Sequence, residues 1–313
     1  MHVLGIDVGG TKTTCLLADG DGRIVATARG RGANLQAAGE LELEKVLHSV
    51  MEEAIAEDGI IPSAICLGIA GVDRAEDAEV VRAIMRRIGY KARSLVVNDA
   101  LIALEAGIAD AAGIVIVAGT GSIAYGRDGQ GRAARAGGWG HVLGDEGSGH
   151  WIGRRALRAI VREADGRGAA TSLTARVLAH FGVERPEELI QKVYHDEFKP
   201  SAIARLAQYV QQARDEGDGV AIGILERSAH ELIGAAAAVT SRLDMTSDEF
   251  TYVLAGGMFR AVPWLREQLT RLLPTLAPHS HTYHLEAEPA LGAVRLALAE
   301  AHGGAKVPIY VTW

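Results

Sequence analysis

Two glycine-bearing turns hold the residue types best suited to chemistry. The first lies in Leu4–Thr14, LGIDVGGTKTT, where an apolar run with one acid near its end, Asp7, meets Gly9, Gly10, Thr11, Lys12 and Thr13. Glycine lets a ligand approach main-chain N–H groups, and amides, hydroxyls and an ammonium converging on one turn suit a phosphate. Asp7 stands where it could hold a cation that neutralises that phosphate, directly or through water. An ordinary β-hairpin would use the same residues, so this turn alone does not decide. About 110 residues later Gly119, Thr120, Gly121 and Ser122 form a second Gly/Thr turn. Its Gly-x-Gly-x-x-Ala outline matches a dinucleotide fingerprint, but that fingerprint must open a helix, and an alternating strand follows here. There is no Gly-Lys-Ser/Thr, so a P-loop of that type is excluded. What remains is a pair of hairpins able to grip a polyphosphate from two sides, a far more specific arrangement than either alone.

Asp99 follows the apolar strand Ser94 to Val97 and Asn98. There an aspartate is either the N-cap of the helix behind it or a carboxylate at the strand edge where α/β sites gather. In the second case it is a natural general base for a hydroxyl. Gly137–Gly149, GGWGHVLGDEGSG, is the densest glycine stretch and carries Trp139, His141, Asp145 and Glu146. A flat aromatic beside an acid suits a sugar, with its apolar ring face and hydroxyl rim. The alternative is a loop in which Asp145 or Ser148 caps the next helix. His141 reads equally as a sugar-orienting residue and as a packed histidine. His279, His281 and His284 have no acid or cysteine at a suitable spacing, so no metal is expected there.

The elements that would position these groups follow from periodicity. Val3 to Val8, Thr13 to Ala18 and Ile24 to Ala28 read as a three-strand meander, joined first by the Gly-Gly turn and then by the acidic-Gly turn Asp19-Gly20-Asp21-Gly22. A glycine-rich loop, Gly30 to Gly39, contains Asn34. Leu41 to Glu57 is a helix, Ala64 to Ala70 a buried strand, Ala78 to Ile88 a helix, and Ala100 to Ala109 a helix after the Asp99 strand. The order strand, Gly/Thr turn, strand, Asp-Gly turn, strand then restarts at Gly113, with strands Gly113 to Ala118, Ser122 to Arg127 and Arg132 to Ala136. The matched order points to duplication. Ser148 to Leu243 is helical pattern broken at Gly166–Gly168, Arg185-Pro186, Lys199-Pro200 and Glu216–Gly219. Phe250 to Ala255 returns to strand and ends in Gly256-Gly257. A helix from Pro263 to Leu273, a strand from Thr282 to Leu285 and a helix from Pro289 to Ala301 complete the chain. The tail, Lys306–Trp313, either adds an edge strand or meets a second subunit.

Composition narrows the class. The chain has 313 residues, 48% hydrophobic and 5% aromatic, with 32 basic and 39 acidic side chains and a formal charge of −7. That length allows two domains. No basic block stands out, which argues against nucleic acid, and no apolar run is long enough to cross a membrane. Cys15 and Cys66 lie in apolar strand-like runs without metal spacing, as small core residues of a reducing compartment. A strand within two residues of Met1 leaves no room for a signal peptide, so a cytoplasmic protein is expected.

The stretches GIDVGGTKT, VNDA, AGTGS, GGWGHVLGDEGSG and LAGG, in this order, resemble the N-acetylglucosamine kinase branch of the BadF/BadG/BcrA/BcrD ATPase family, within the sugar kinase, Hsp70 and actin superfamily. The likeness covers nearly the whole chain and is most specific in the Trp-Gly-His…Gly-Asp-Glu-Gly-Ser stretch. It implies an α/β fold of two ribonuclease-H-like lobes, the actin-like ATPase fold, with ATP and Mg²⁺ in the cleft between them. The first lobe would span 1–111, completed by the returning helix 289–302. The second would span 112–288, with a helical insertion at about 150–243. The resemblance further implies Asp99 as the base for a sugar 6-hydroxyl, and Asn34, Trp139, Gly140, His141 and Asp145 around the sugar. Asp7 would serve Mg²⁺; Gly9, Gly10, Thr11, Lys12 and Thr13 with Gly119, Thr120, Gly121 and Ser122 would serve the phosphates; Gly256 and Gly257 would face adenosine. The zinc-binding cysteine cluster of the ROK sugar kinases is absent, and so are the iron–sulfur cysteines of relatives that activate radical dehydratases.

The expected activity is ATP-dependent phosphorylation of an amino sugar, in a protein that could form a homodimer. Two rivals share the lobes and turns. An ATPase driving a partner protein has no need of Trp139 and Asp145. A non-catalytic sugar sensor would call for a DNA-binding segment, and none precedes the first strand. Which sugar is accepted, among N-acetylglucosamine, glucosamine, glucose and N-acetylmuramic acid, is not legible in these residues.

Overall fold

The structure is a computed structural model that describes residues 1–55, 60–72, 74–194 and 199–311. The chain opens with a meander of β1 (His2–Val8), β2 (Lys12–Asp19) and β3 (Ile24–Arg31), then α1 (Leu35–Ala38) and α2 (Glu40–Ile55). β4 (Ala64–Ile69), α3 (Ala75–Arg87), β5 (Arg93–Asn98) and α4 (Asp99–Ile108) follow. A second meander is formed by β6 (Gly113–Ala118), β7 (Ser122–Arg127) and β8 (Arg132–Gly137). Among the described residues, α5 (Gly140–Leu143), α6 (Gly149–Ala164), α7 (Leu173–Phe181), α8 (Leu189–Tyr194), α9 (Pro200–Ala204), α10 (Ala207–Asp215) and α11 (Gly219–Arg242) come next. The chain closes with β9 (Thr251–Ala255), α12 (Met258–Ala261), α13 (Pro263–Leu272), β10 (His281–His284), α14 (Ala290–Ala301) and β11 (Ile309–Tyr310).

The first sheet has the order β3-β2-β1-β4-β5, and the second β10-β9-β6-β7-β8-β11. Read from its own first strand, the second sheet repeats the first, with β11 added at the edge. In both, the second and third strands run antiparallel and the last two are parallel to the first. The parallel strands put the ends of β1, β4 and β5 in register, Val8 beside Ile69 and Ile69 beside Asn98. β6 and β9 end side by side in the same way, Val117 opposite Ala255.

Apolar side chains form three layers. α2 and α3 cover one face of the first sheet, through Leu43, Leu47, Met51, Val81 and Ile84. The middle layer, α4 and α14, is shared by both sheets: Val3 and Cys66 of the first, and Val115, Tyr125 and Val253 of the second, pack on Leu101, Leu104, Ala293 and Ala297. The remaining large cluster lies between the second sheet and α6, α10, α11 and α13. Helix α4 is buried all round, its run from Ala100 to Ala106 apolar except for Glu105, as suits a helix enclosed on both sides. It seats closely because a Cβ at Gly68 would meet Ile102 Cδ1 at 2.3 Å and one at Gly292 the Ile102 carbonyl at 1.9 Å.

The far end of α4 is tied to the second sheet by a buried ion pair, Glu105 with Arg127. Arg127 also donates to the Ala109 carbonyl, and to that of Ala111 at 3.0 Å. Losing one partner of such a pair leaves an uncompensated buried charge, a cost of roughly 3–5 kcal/mol.

The structure differs from the sequence reading mainly in the loops. β3 runs on through Gly30 to Arg31 because Lys12 pairs with Arg31 and the Thr13 hydroxyl donates to the Arg31 carbonyl at 2.8 Å. The glycine-rich loop after it contains α1, and the Gly137–Gly149 stretch contains α5. The predicted end of the Leu41–Glu57 helix, beyond Ile55, lies outside the described residues. The tail pairs its Ile309 and Tyr310 with Arg132 and Ala133 of β8, so it adds the edge strand.

Candidate active site

At the end of β1, Asp7 is 8% exposed and shares its surroundings with Asp99, Lys12 and Glu288. Burial, and after it the Asp99 carboxylate, push Asp7 up to about 7, against the pull of Lys12 and with a further push from Glu288. A buried acid whose ionisation is opposed by a neighbouring carboxylate is a recognised mark of a working site. The cap of α4 is made by the neighbour of Asp99: the Asn98 side chain accepts from the Ala100 N–H at 2.7 Å. Asp99, half-buried, is the first helical residue and is not called on for that bond.

The bend between β1 and β2 is closed by Gly9 N–H donating to the Lys12 carbonyl at 2.9 Å, and Ala33 N–H donates to the Gly9 carbonyl at 3.2 Å. A Cβ at Gly32 would lie 2.4 Å from the Gly10 carbonyl carbon, so the chain after β3 passes directly over this bend. A Cβ at Gly10 itself would meet nothing within 4 Å. The Lys12 ammonium sits 2.7 Å from Glu288 Oε2.

The bend between β6 and β7 is backed by a helix. Gly149 N–H donates to the Gly119 carbonyl at 2.9 Å and His150 N–H to the Thr120 carbonyl at 3.2 Å, so the start of α6 is seated on the turn. Ser148 caps α6 by accepting from Trp151 N–H at 3.2 Å, and the Ser122 hydroxyl donates to the Glu146 carbonyl at 2.7 Å. Asp145 is therefore spared from capping. Its carboxylate accepts from the N–H groups of Ser122 and Gly140, and a Cβ at Gly121 would lie 2.7 Å from Asp145 Oδ2. Burial raises its pKa against those bonds and against the nearby His141. Its φ of +58° is a left-handed conformation rare outside glycine, of the kind that collects at functional sites.

The other predicted residues fall as follows. Trp139 is about half exposed, with the Arg135 guanidinium 4.8 Å from its ring centroid. His141 is exposed, its ring edge-on to His150 at 5.1 Å. Burial, then His141 and Arg154, bring His150 down to about 4, so it is neutral at physiological pH. Asn34 lies between β3 and α1, half-buried, on the first-sheet side. Gly256, with φ +108°, is pressed on the Ala118 carbonyl, 2.2 Å from where a Cβ would be, and Gly257 is the N-cap of α12. The structure thus joins Asp7, Asp99 and Lys12 in one cluster, and Gly140, His141 and Asp145 with Gly121 and Ser122 in another.

Sequence reasoning missed Glu288, His150 and Asn98. Glu288 shows itself only as an acid one residue ahead of the Pro289 that opens α14, and His150 only as an apolar-flanked histidine at the start of α6.

The sequence profile of the BadF/BadG/BcrA/BcrD ATPase family matches residues 4–297. The chain belongs to this family. Among relatives of this family member is an N-acetylmuramic acid/N-acetylglucosamine kinase of Clostridium acetobutylicum, 35% identical over 96% of this chain and 99% of that protein. An N-acetyl-D-glucosamine kinase of Dictyostelium discoideum is 31% identical over 94% and 97%. A crystal structure from Chromobacterium violaceum, provisionally assigned as an N-acetylglucosamine kinase, superimposes with a TM-score of 0.78 at 27% identity, over 95% of this chain and 98% of that one. A ROK family glucokinase from Streptomyces griseus shares the fold, with a TM-score of 0.60 at 19% identity over 95% and 98% of the chains. The ATPase family member therefore has the two-lobed α/β fold of the actin-like sugar kinases.

Proposed function

We propose that this protein is an ATP-dependent amino-sugar kinase that transfers the γ-phosphoryl group of ATP to the 6-hydroxyl of N-acetylglucosamine or a related hexosamine. The observation that carries the reading is the Asp7–Asp99 pair beside Lys12 at the carboxyl edge of the first sheet. It is supported by the acid loop, Asp145, folded against the second glycine turn, and by the names of the two curated relatives, both above 30% identity.

In phosphoryl transfer the protein mainly positions groups and offsets charge. The amides of Gly9 to Thr13 and of Gly119 to Ser122, with Lys12, receive the phosphates. Asp145, Trp139, His141, Gly140 and Asn34 receive the sugar, the Trp139 ring offering an apolar face and Asp145 a hydroxyl acceptor. Asp99 takes the proton from the 6-hydroxyl as that oxygen attacks the γ-phosphorus in line. Gly256 and Gly257 lie where the strand end of β9 would let adenosine approach backbone. We assign residues 1–111 with 289–302 to one lobe and 112–288 to the other.

Mg²⁺ fits this donor set. Asp7 is a buried carboxylate with its ionisation opposed by a second one, an arrangement a divalent cation would relieve. Among the described residues no group of three or more His, Cys, Asp or Glu side chains forms a ready metal cage. That suits an ion that keeps several waters and arrives on a polyphosphate. When bound, it would neutralise charge on the transferred group, and Asp7 would hold it, directly or through water.

The test is an assay of ADP release across a panel of hexoses and hexosamines. Sugar-stimulated turnover with at least one hexosamine is expected. Release that no hexosamine stimulates would instead favour an ATPase acting on a partner protein.

A further inference from the structure

Glu288 is not part of either glycine turn, yet it holds the one ammonium that the first turn offers to a phosphate. It lies in the segment that crosses from β10 of the second sheet to α14, and its Oε2 is 2.7 Å from Lys12 Nζ. Its other oxygen, Oε1, is 3.7 Å from Nη2 of Arg29, on β3. The two cations are both partly exposed, so neither contact is locked by burial. A carboxylate here presents to Lys12 the same chemistry as a phosphate oxygen: a hydrogen-bond acceptor bearing negative charge.

We propose that Glu288 is a positioning residue that competes with the phosphates of the nucleotide for Lys12, and that Arg29 receives its carboxylate when Lys12 lets go. The inference rests on the nucleotide reading above. Without phosphates, Glu288 keeps the ammonium aimed across the bend and away from collapse onto Asp7, which lies close enough for Lys12 to lower its pKa. When a polyphosphate enters, Lys12 exchanges one oxyanion for another. Glu288 moves its hydrogen bonding to a guanidinium already beside it, so no charge is left unpaired. The crossing segment is thereby released from the phosphate turn only when the turn is filled. Exposed pairs of this kind are weak, so the exchange is set to cost a small factor in affinity and not to block binding.

The experiment measures equilibrium binding of Mg·ATP, and separately of inorganic tripolyphosphate, to the full chain, four single variants and one double variant. Lys12→Met is expected to weaken both ligands at least tenfold. If it does not, the phosphate reading of the first turn fails, whatever Glu288 does. Given that loss, Glu288→Gln is expected to tighten both ligands about two- to fivefold. In turnover the ATP KM should fall by the same factor while the sugar KM stays put. Glu288→Asp, which keeps the charge, is expected to return to the wild-type affinity within about twofold. Arg29→Gln removes the fallback and should weaken both ligands about twofold, an effect that vanishes in the Glu288→Gln background because the two act as one unit. Unchanged or weaker binding by Glu288→Gln, at a melting temperature equal to wild type, would overturn the competition while leaving the phosphate turn intact.

Discussion

The bend between β1 and β2 is surrounded by charge, whereas the bend between β6 and β7 is surrounded by backbone. Around the first stand Asp7, Asp99, Lys12 and Glu288, and a Cβ on Gly10 would touch nothing. Around the second, two amides of α6 grip the turn carbonyls, and Asp145 leaves no room for a Cβ on Gly121. The strands leading into the two bends pair alike, so a common topology has been equipped for two tasks. One bend supplies ionisable groups that can change partner. The other supplies a fixed cradle in which an acid is held by the Ser122 and Gly140 amides. Phosphoryl transfer needs both, adjustable charge at the reacting atoms and preorganised dipoles around them.

The sharpest way to test the division is to remove the acid at the charged end. Asp99→Asn should lower kcat by about 10²–10⁴ while shifting the sugar KM by less than about threefold. Steady-state rates with saturating ATP read this directly. Retention of more than about a tenth of kcat would mean that Asp99 is not the base. Because Asn98 makes the cap of α4, the variant keeps that bond, and a far-UV circular dichroism spectrum equal to wild type separates chemistry from folding.

Next in size is a change in the rigid bend. Gly121→Ala must displace the Asp145 carboxylate or the turn, since the added carbon would sit 2.7 Å from Oδ2. The sugar KM should rise at least tenfold because Asp145 is assigned to the sugar, and ATP binding should weaken as well because Gly121 belongs to the phosphate turn. A loss confined to ATP binding would mean that Asp145 does not serve the sugar.

The third prediction concerns ionisation. Asp7 titrates near 7 in the folded protein and near 3.8 when unfolded, so the folded state binds the extra proton between those values. Its contribution therefore favours folding at low pH and is lost as pH rises towards 7. Asp7→Asn lacks this penalty. In the absence of nucleotide it should melt higher than wild type at pH 8, by about 1–3 kcal/mol in stability, with the gap closing towards pH 4. Activity should move in the opposite direction, the usual trade at a charged site. Equal melting curves at pH 8 would show that Asp7 is better solvated than its burial indicates.

How far the sequence foretold this arrangement differs between the two bends as well. The strands, their order and both glycine turns follow from local alternation and turn chemistry, which need no distant partner. The seating of Asp145 is half legible: the glycine content points to a site in this loop, but whether Asp145 or Ser148 caps α6 depends on backbone angles, and Ser148 does so. At Asp99 the sequence leaves a cap or a chemical carboxylate open, and the neighbouring Asn98, which it does not single out, makes the cap. Helices α1 and α5 are single turns inside glycine-rich loops, too short to show a period. Glu288 was illegible for a different reason. Its partner Lys12 is 276 positions away, and only the return of the chain between the sheets brings them together.

The smallest expected effect is also the one that isolates the first bend as an open ligand site. Gly10→Ala adds a carbon that meets no protein atom within 4 Å, and Gly10 is not among the glycines with positive φ. The apo protein should tolerate it, with stability within about 0.5 kcal/mol of wild type. If the bend serves only as a hairpin, nothing further should change. If a phosphate must approach its amides, the new methyl group lies in the path that glycine left clear, and the ATP KM should rise about three- to tenfold while the sugar KM does not. A stability equal to wild type combined with a weaker ATP KM is an outcome only a ligand can produce, since the protein itself leaves that space unused.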